Sequence, residues 1–280
     1  MELIKKHSRR LTQVVVAVLY NCNITGFAKG KIYKGSLKNT CVPGLNCYSC
    51  PGAVGACPLG SLQSALLSSK YKFPYYTLGI LILFGVLLGR FICGFLCPFG
   101  LLQELLYKIP TKKIKKSKIT RTLSYVKYII FVFLVVVCPI LLHISAFCKY
   151  ICPVGTFEGG VLLGISNPEI RSLLGALFTW KCAVLVLILL SAVFCFRSFC
   201  RFLCPLGAFY SLFNKFAFVR MVVDDSKCTN CDCCINYCKM DIKKVGDREC
   251  IQCGECAHIC KSCAIHRSSD GKHDFDYEKR

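Results

Sequence analysis

Uncharged apolar runs alternate with short basic stretches along most of the chain, and the pattern predicts helices rather than strands. Residues 11–28 carry no charge but include Gln13, Asn21 and Asn23. Residues 73–89 are uncharged and strongly apolar, and residues 128–148 are uncharged and about long enough to cross a bilayer. Residues 173–196 are interrupted only by Lys181, placed where it could snorkel to the headgroups. Four membrane spans are therefore expected. From about residue 221 the pattern gives way to short, polar, cysteine-rich sequence. The predicted fold class is mainly α, with a polytopic helical membrane domain over 1–220, a small domain over 221–265 and a polar tail over 266–280.

The 280 residues carry 36 Lys+Arg against 15 Asp+Glu, a formal charge of +21. The basic residues flank apolar spans rather than cover a polar domain, which argues against nucleic acid and for membrane topology. Lys5, Lys6, Arg9 and Arg10 precede the first span. The link at 108–127 holds Lys108, Lys112, Lys113, Lys115, Lys116, Lys118, Arg121 and Lys127 and no acidic residue. Both segments are expected in the cytoplasm, with the C-terminal domain on the same side. No convincing cleavable signal peptide is present. Clusters held by four thiolates are net negative, so nearby cations also offset charge.

Twenty-four Cys would suit a disulfide scaffold in a short secreted chain, but many fall at cluster spacing, which requires reduced thiols. Cys228, Cys231, Cys234 and Cys238 are spaced C-x2-C-x2-C-x3-C, and Cys250, Cys253, Cys256 and Cys260 repeat it. Two tandem copies are the bacterial two-cluster ferredoxin signature, in which the fourth Cys of each run serves the other cluster. Cys228, Cys231, Cys234 and Cys260 are thus assigned to one [4Fe–4S] cluster, and Cys250, Cys253, Cys256 and Cys238 to the second. Zinc knuckles are the competing reading. Lys239 and Lys261 replace the usual Pro after the fourth Cys, and Cys233 and Cys263 are read as spare thiols.

The apolar part contains Cys-Pro-x-Gly four times, at Cys57, Cys97, Cys152 and Cys204. Two copies agree further: Arg90, Cys93 and Cys97 match Arg197, Cys200 and Cys204 in spacing, which indicates an internal duplication. Pro suits the first position of a helix and makes the preceding Cys its N-cap, facing unpaired N–H groups and the positive end of the helix dipole. Both favour thiolate, and the Gly leaves room beside the first turn. Cys93, Cys97, Cys200 and Cys204 would meet at the cytoplasmic boundary. Cys47, Cys50, Cys57, Cys148 and Cys152 form an outer group. The bland alternative is that these Cys only shape helix starts. Arg90 and Arg197 are either snorkelling anchors or offsets to cluster charge. Cys22, Cys138, Cys182 and Cys195 read as apolar filler, and His143 as interfacial rather than a haem ligand.

Together these features resemble the NapH/NosR family of membrane iron–sulfur proteins, on Cys93, Cys97, Cys200 and Cys204 and the two ferredoxin runs. The resemblance implies two [4Fe–4S] clusters in the ferredoxin segment, while the Cys-Pro thiols themselves offer one or two further iron–sulfur centres in the membrane domain, at the boundary set and at the outer group. It implies electron transfer between a cytoplasmic donor and a membrane or extracytoplasmic redox partner. A flavoprotein on another polypeptide is one form that partner could take, because the large flavin domain of the longest members is lacking here. Quinone-linked electron transfer and a metal-handling accessory role are the alternatives. No nucleophile–base pair or phosphate-binding loop supports a hydrolase or a nucleotide-driven pump.

Overall fold

The computed structural model describes residues 2–68, 74–114, 116–167, 171 and 175–268. The starts of the second and fourth expected spans, Lys115 and the tail beyond residue 268 lie outside the described residues. The chain is mainly helical, as the periodicity predicts. Helices α1 (Glu2–Tyr20), α2 (Ile24–Lys29), α3 (Pro58–Ser68), α4 (Tyr75–Leu88) and α5 (Pro98–Leu106) make the first half. Helices α6 (Lys118–Leu141), α7 (Ala146–Tyr150), α8 (Gly155–Ile165), α9 (Ala176–Phe194), α10 (Ser198–Phe202) and α11 (Pro205–Phe213) make the second. The C-terminal segment holds β1 (Arg220–Val223), α12 (Cys233–Tyr237), α13 (Glu255–Ile259) and β2 (Ile265–Ser268).

Two helices, α6 and α9, are long and apolar enough to cross a membrane, whereas α4 has 14 residues and α8 is also short. The first expected span is displaced. Helix α1 begins in the charged N-terminal residues, which are good helix formers, and ends at Asn21, whose side chain donates to the Ala17 carbonyl. The third runs from Lys118 and stops before His143, which takes a left-handed conformation. Only 22% of the apolar window of α6 and 17% of that of α9 is buried. Ile129, Val132 and Phe133 on α6, and Val186, Leu187 and Leu190 on α9, are exposed. On α1 the usual pattern is inverted: Leu11, Val14, Val15 and Val18 face outward while Arg9 and Gln13 are buried.

The core gathers around the Cys-Pro segments. Helix α1 packs on the π-helical turn Ile92–Leu96 and on α5; α9 packs on α5 and α10; α11 packs on α4 and α6. β1 and β2 pair antiparallel, Arg220 opposite Ser268 and Val223 opposite Ile265. β2 thus runs into residues that the sequence reading gave to the tail, because β1 needs an antiparallel partner of its own length.

Acidic residues of the C-terminal segment meet basic residues of the bundle. Glu249 accepts from Arg90 at 2.8 Å and from Lys127 at 2.5 Å, and both cations are fully buried. Arg9 pairs with Glu104 at 2.9 Å and with Glu255 at 3.2 Å. Arg201 pairs with Asp241, and Arg121 with Asp247 at 3.2 Å. Burial alone would raise the Glu249 and Glu104 carboxyls, but Arg90 with Lys127, and Arg197 with Arg9, outweigh it and hold both below the ordinary value. Depressed carboxyl groups stabilise the fold above their unfolded pKa. This contribution should decline as pH falls below about 4.3.

Replacing Glu249 by Gln strands two buried cations. We expect a loss of ~3–5 kcal/mol at neutral pH, read as early proteolytic release of the 220–268 segment and a lower unfolding temperature. Parent-like protease resistance would contradict the clamp.

Candidate functional site

Each Cys-Pro-x-Gly copy starts a helix. Cys97 and Cys204 are the N-caps of α5 and α11, both in extended backbone, with Pro at the first helical position. The Cys204 sulfur accepts the Gly207 N–H at 3.3 Å, and the Cys152 sulfur accepts the Gly155 N–H at 3.3 Å. Cys57 immediately precedes α3. These contacts satisfy helix N–H groups that lack intrahelical partners.

Cys93, Cys97, Cys200 and Cys204 are all buried and lie within electrostatic reach of one another. The matched arginines do not snorkel, since both are 0% exposed. Arg90 reaches the Cys200 carbonyl at 3.4 Å, while Arg197 donates to the Cys93 carbonyl, so each crosses to the other motif. Arg197 is balanced by Glu104 at 2.7 Å. A Cβ on Gly100 would come within 3.1 Å of that guanidinium, so this position favours glycine. Gln103 donates from Nε2 to the Cys200 sulfur at 3.1 Å, while its Oε1 accepts the Phe199 N–H at 3.1 Å. The backbone donor fixes which end of the amide faces the sulfur.

This thiol set abuts the small domain. A Cβ on Gly94 would collide with the Ile251 carbonyl, between Cys250 and Cys253. Asn214 donates to the carbonyls of Cys250 at 3.0 Å and Asp247 at 2.7 Å, and accepts from Arg90 N and Gln252 Nε2.

In the C-terminal segment Cys238 lies within electrostatic reach of Cys250 and Cys253, and Cys256 within reach of all three and of Cys234. Cys234 neighbours Cys228 and Cys231, and Cys234 and Cys260 pack on the same small core. The two loops copy each other in backbone. Asn230 and Gln252 are left-handed (φ 51° and 55°), as are Asp232 and Gly254 (φ 53° and 79°). Three of these four are not glycine, a strain that persists where surrounding contacts require a wrapped loop. Burial pushes the Cys238 thiol up to about 12 and the Cys253 thiol up to about 11. Bare thiolates are disfavoured there, and a cationic iron centre removes that penalty. Among the described residues no three His, Cys, Asp or Glu converge tightly enough to hold a single metal ion. Cysteine thiols alone, repeated at ferredoxin spacing, are the donor type that iron–sulfur clusters take.

The outer group divides. Cys47, Cys57, Cys148 and Cys152 line one cavity of about 620 Å³. Cys50 does not line it; its sulfur turns to Asn21 Oδ1 at 3.5 Å. Lys181 lines the cavity as well. Several important residues escaped the sequence reading: Glu104, Glu249, Asn214, Gln103 and Glu158. The last two share a signal. The sixth residue after each motif Cys is Gln63, Gln103, Glu158 or Tyr210, polar every time within an apolar helix.

A 4Fe-4S binding domain family matches residues 73–117, 126–163 and 177–221, the segments that carry Cys93 and Cys97, Cys148 and Cys152, and Cys200 and Cys204. The chain is similar to the uncharacterized protein MJ0750 of Methanocaldococcus jannaschii, 31% identical over 219 residues, covering 75% of this chain and 84% of the relative. It is also similar to the regulatory protein NosR of Stutzerimonas stutzeri, 28% identical over 155 residues, covering 53% of this chain and 20% of that protein. The methylamine utilization ferredoxin-type protein MauN of Paracoccus denitrificans is 28% identical over 182 residues, covering 63% and 58%. No solved structure matches the chain. Thiol sets, helix starts and family match together define a helical, ferredoxin-type iron–sulfur protein. The chain belongs to the NosR/NapH-type iron–sulfur protein family.

A hydrogen bond to a ligand sulfur stabilises the reduced, more negative state. Gln103→Leu should therefore lower the midpoint potential of a centre ligated by Cys200 while leaving the iron content unchanged. Redox titration of the anaerobic protein reads it, and an unchanged potential would remove Gln103 from this role.

Proposed function

We propose that the protein is a membrane-embedded one-electron carrier with three thiol-held centres at its cytoplasmic end. Two are the crossed ferredoxin sets, Cys228, Cys231, Cys234, Cys260 and Cys238, Cys250, Cys253, Cys256. The third is the boundary set Cys93, Cys97, Cys200 and Cys204. Iron–sulfur clusters bound there supply reversible one-electron chemistry. The carrying observation is the contact of Gly94 with the Ile251 carbonyl, which seats the boundary thiols against a ferredoxin loop with no layer between them.

The chain's own residues keep this junction dry and balanced. Arg90 and Arg197 offset thiolate charge, Glu249 and Glu104 balance the arginines, and Asn214 holds the Cys250 loop. The uncovered apolar faces of α6 and α9 support a bilayer around the bundle. Lys116 donates to the Ile235 carbonyl at 2.7 Å and Arg121 pairs with Asp247, so the basic link lies beside the C-terminal segment. That shared side supports the cytoplasmic placement of both. The crossed contacts of Arg90 and Arg197 accord with two duplicated halves about a pseudo-twofold axis. A cytoplasmic donor would deliver electrons to the ferredoxin sets, and a membrane or extracytoplasmic acceptor, such as a separate flavoprotein, would take them. The ferredoxin-type label of MauN accords with this reading.

Cys93→Ser and Cys200→Ser should each abolish one and the same paramagnetic signal while the ferredoxin signals persist. Cys195→Ser should be silent. A quadruple Cys→Ser variant of the boundary set with the parent's iron content and electron-transfer rate would refute the third centre.

A further inference from the structure

Cys47 and Cys57 come from the first half of the chain and Cys148 and Cys152 from the second, about a hundred residues away, yet all four line one cavity of about 620 Å³. Three glycines border the sulfurs closely. A Cβ on Gly155 would lie 3.7 Å from the Cys47 sulfur and 3.6 Å from that of Cys152. One on Gly159 would lie 3.4 Å from the Cys47 sulfur, and one on Gly60 would lie 4.0 Å from that of Cys148. The ligand geometry is also fixed from outside. Glu158 accepts the Cys47 N–H at 2.8 Å, and the Gly155 N–H points at the Cys152 sulfur. Lys38 and Lys181 stand on the cavity wall, the cations that a net-negative occupant would require.

We infer that Cys47, Cys57, Cys148 and Cys152 hold a further iron–sulfur cluster inside the bundle, separate from the boundary set. The inference rests on the iron–sulfur reading of the chain but not on the boundary centre. It excludes Cys50, which faces Asn21, and Cys41, which lines the same cavity but bonds Ser61. The cavity wall includes Tyr76 and Lys181, near the starts of α4 and α9 and so away from the boundary set that follows both helices. The loop that carries Cys47 and Cys57 folds back, so that a Cβ on Gly44 would lie 2.6 Å from the Leu96 carbonyl and 3.3 Å from the Cys97 Cα. Tyr210, fully buried, donates to the Pro43 carbonyl at 3.0 Å and neighbours Cys57, Cys93 and Cys204. A single aromatic residue thus borders both thiol sets, which places the two sites in series.

The test uses the full chain, purified in detergent without oxygen and reconstituted with iron and sulfide. The parent should hold about sixteen iron atoms, four per cubane. Cys47→Ser/Cys152→Ser should lose about four iron and four sulfide per chain, and Cys50→Ser should lose none. A Cys93→Ser/Cys200→Ser variant should lose about four others. If that variant loses iron while the Cys47→Ser/Cys152→Ser variant does not, the inference fails and the boundary centre stands. A parent that holds about twelve iron atoms and loses iron only on Cys93 or Cys200 substitution refutes the inference without any misfolding argument. A parent with about eight refutes both.

Discussion

One carboxylate carries much of the organisation. Glu249 sits between Arg90 and Lys127, immediately before Cys250, where water is excluded from all three side chains. None of these charges could remain there alone, since an unpaired buried ion costs several kcal/mol. The pairing therefore couples two features that the proposed electron transfer needs. It fastens the ferredoxin loop to the bundle, and it holds Arg90 where its guanidinium also reaches the Cys200 backbone. The second arginine repeats this arrangement with Glu104, which Arg9 of the first helix shares.

The large positive charge thereby acquires a structural meaning. Part of it stays exposed in the basic link. Another part is internal, placed against acidic residues of the C-terminal segment and against thiol sets. A cubane ligated by four thiolates adds negative charge in a low-dielectric interior, where compensation is worth more than in water. Arginine suits this task because its planar head pairs with a carboxylate and a carbonyl at once, as Arg90 and Arg197 both do.

What could be read from sequence was local. Cys-Pro-x-Gly announces its own helix start, because Pro, N-cap and glycine act within one turn, and the structure places a helix after every copy. The ferredoxin spacing likewise predicts two wrapped loops, and matched left-handed residues appear in both. Long-range partners were not legible. Arg90 and Glu249 are 159 residues apart, and nothing near Arg90 distinguishes a buried ion pair from a snorkelling anchor. Cys50 follows Cys47 at a spacing that fits clusters, yet the turn at Pro51 and Gly52 aims it at Asn21. The fold-back of the first outer loop onto Leu96 also left no local mark. Its trace is Tyr210, whose hydroxyl reaches the Pro43 carbonyl.

The central claim is that the boundary thiol set and the nearer ferredoxin set form one electrical path. Pulsed electron paramagnetic resonance on the fully reduced, anaerobic protein tests this most directly. Two paramagnetic centres held by adjoining loops should show strong mutual spin coupling, as split and fast-relaxing signals from both sets. Two isolated ferredoxin signals, with no third reduced centre coupled to the set at Cys238, Cys250, Cys253 and Cys256, would contradict the account.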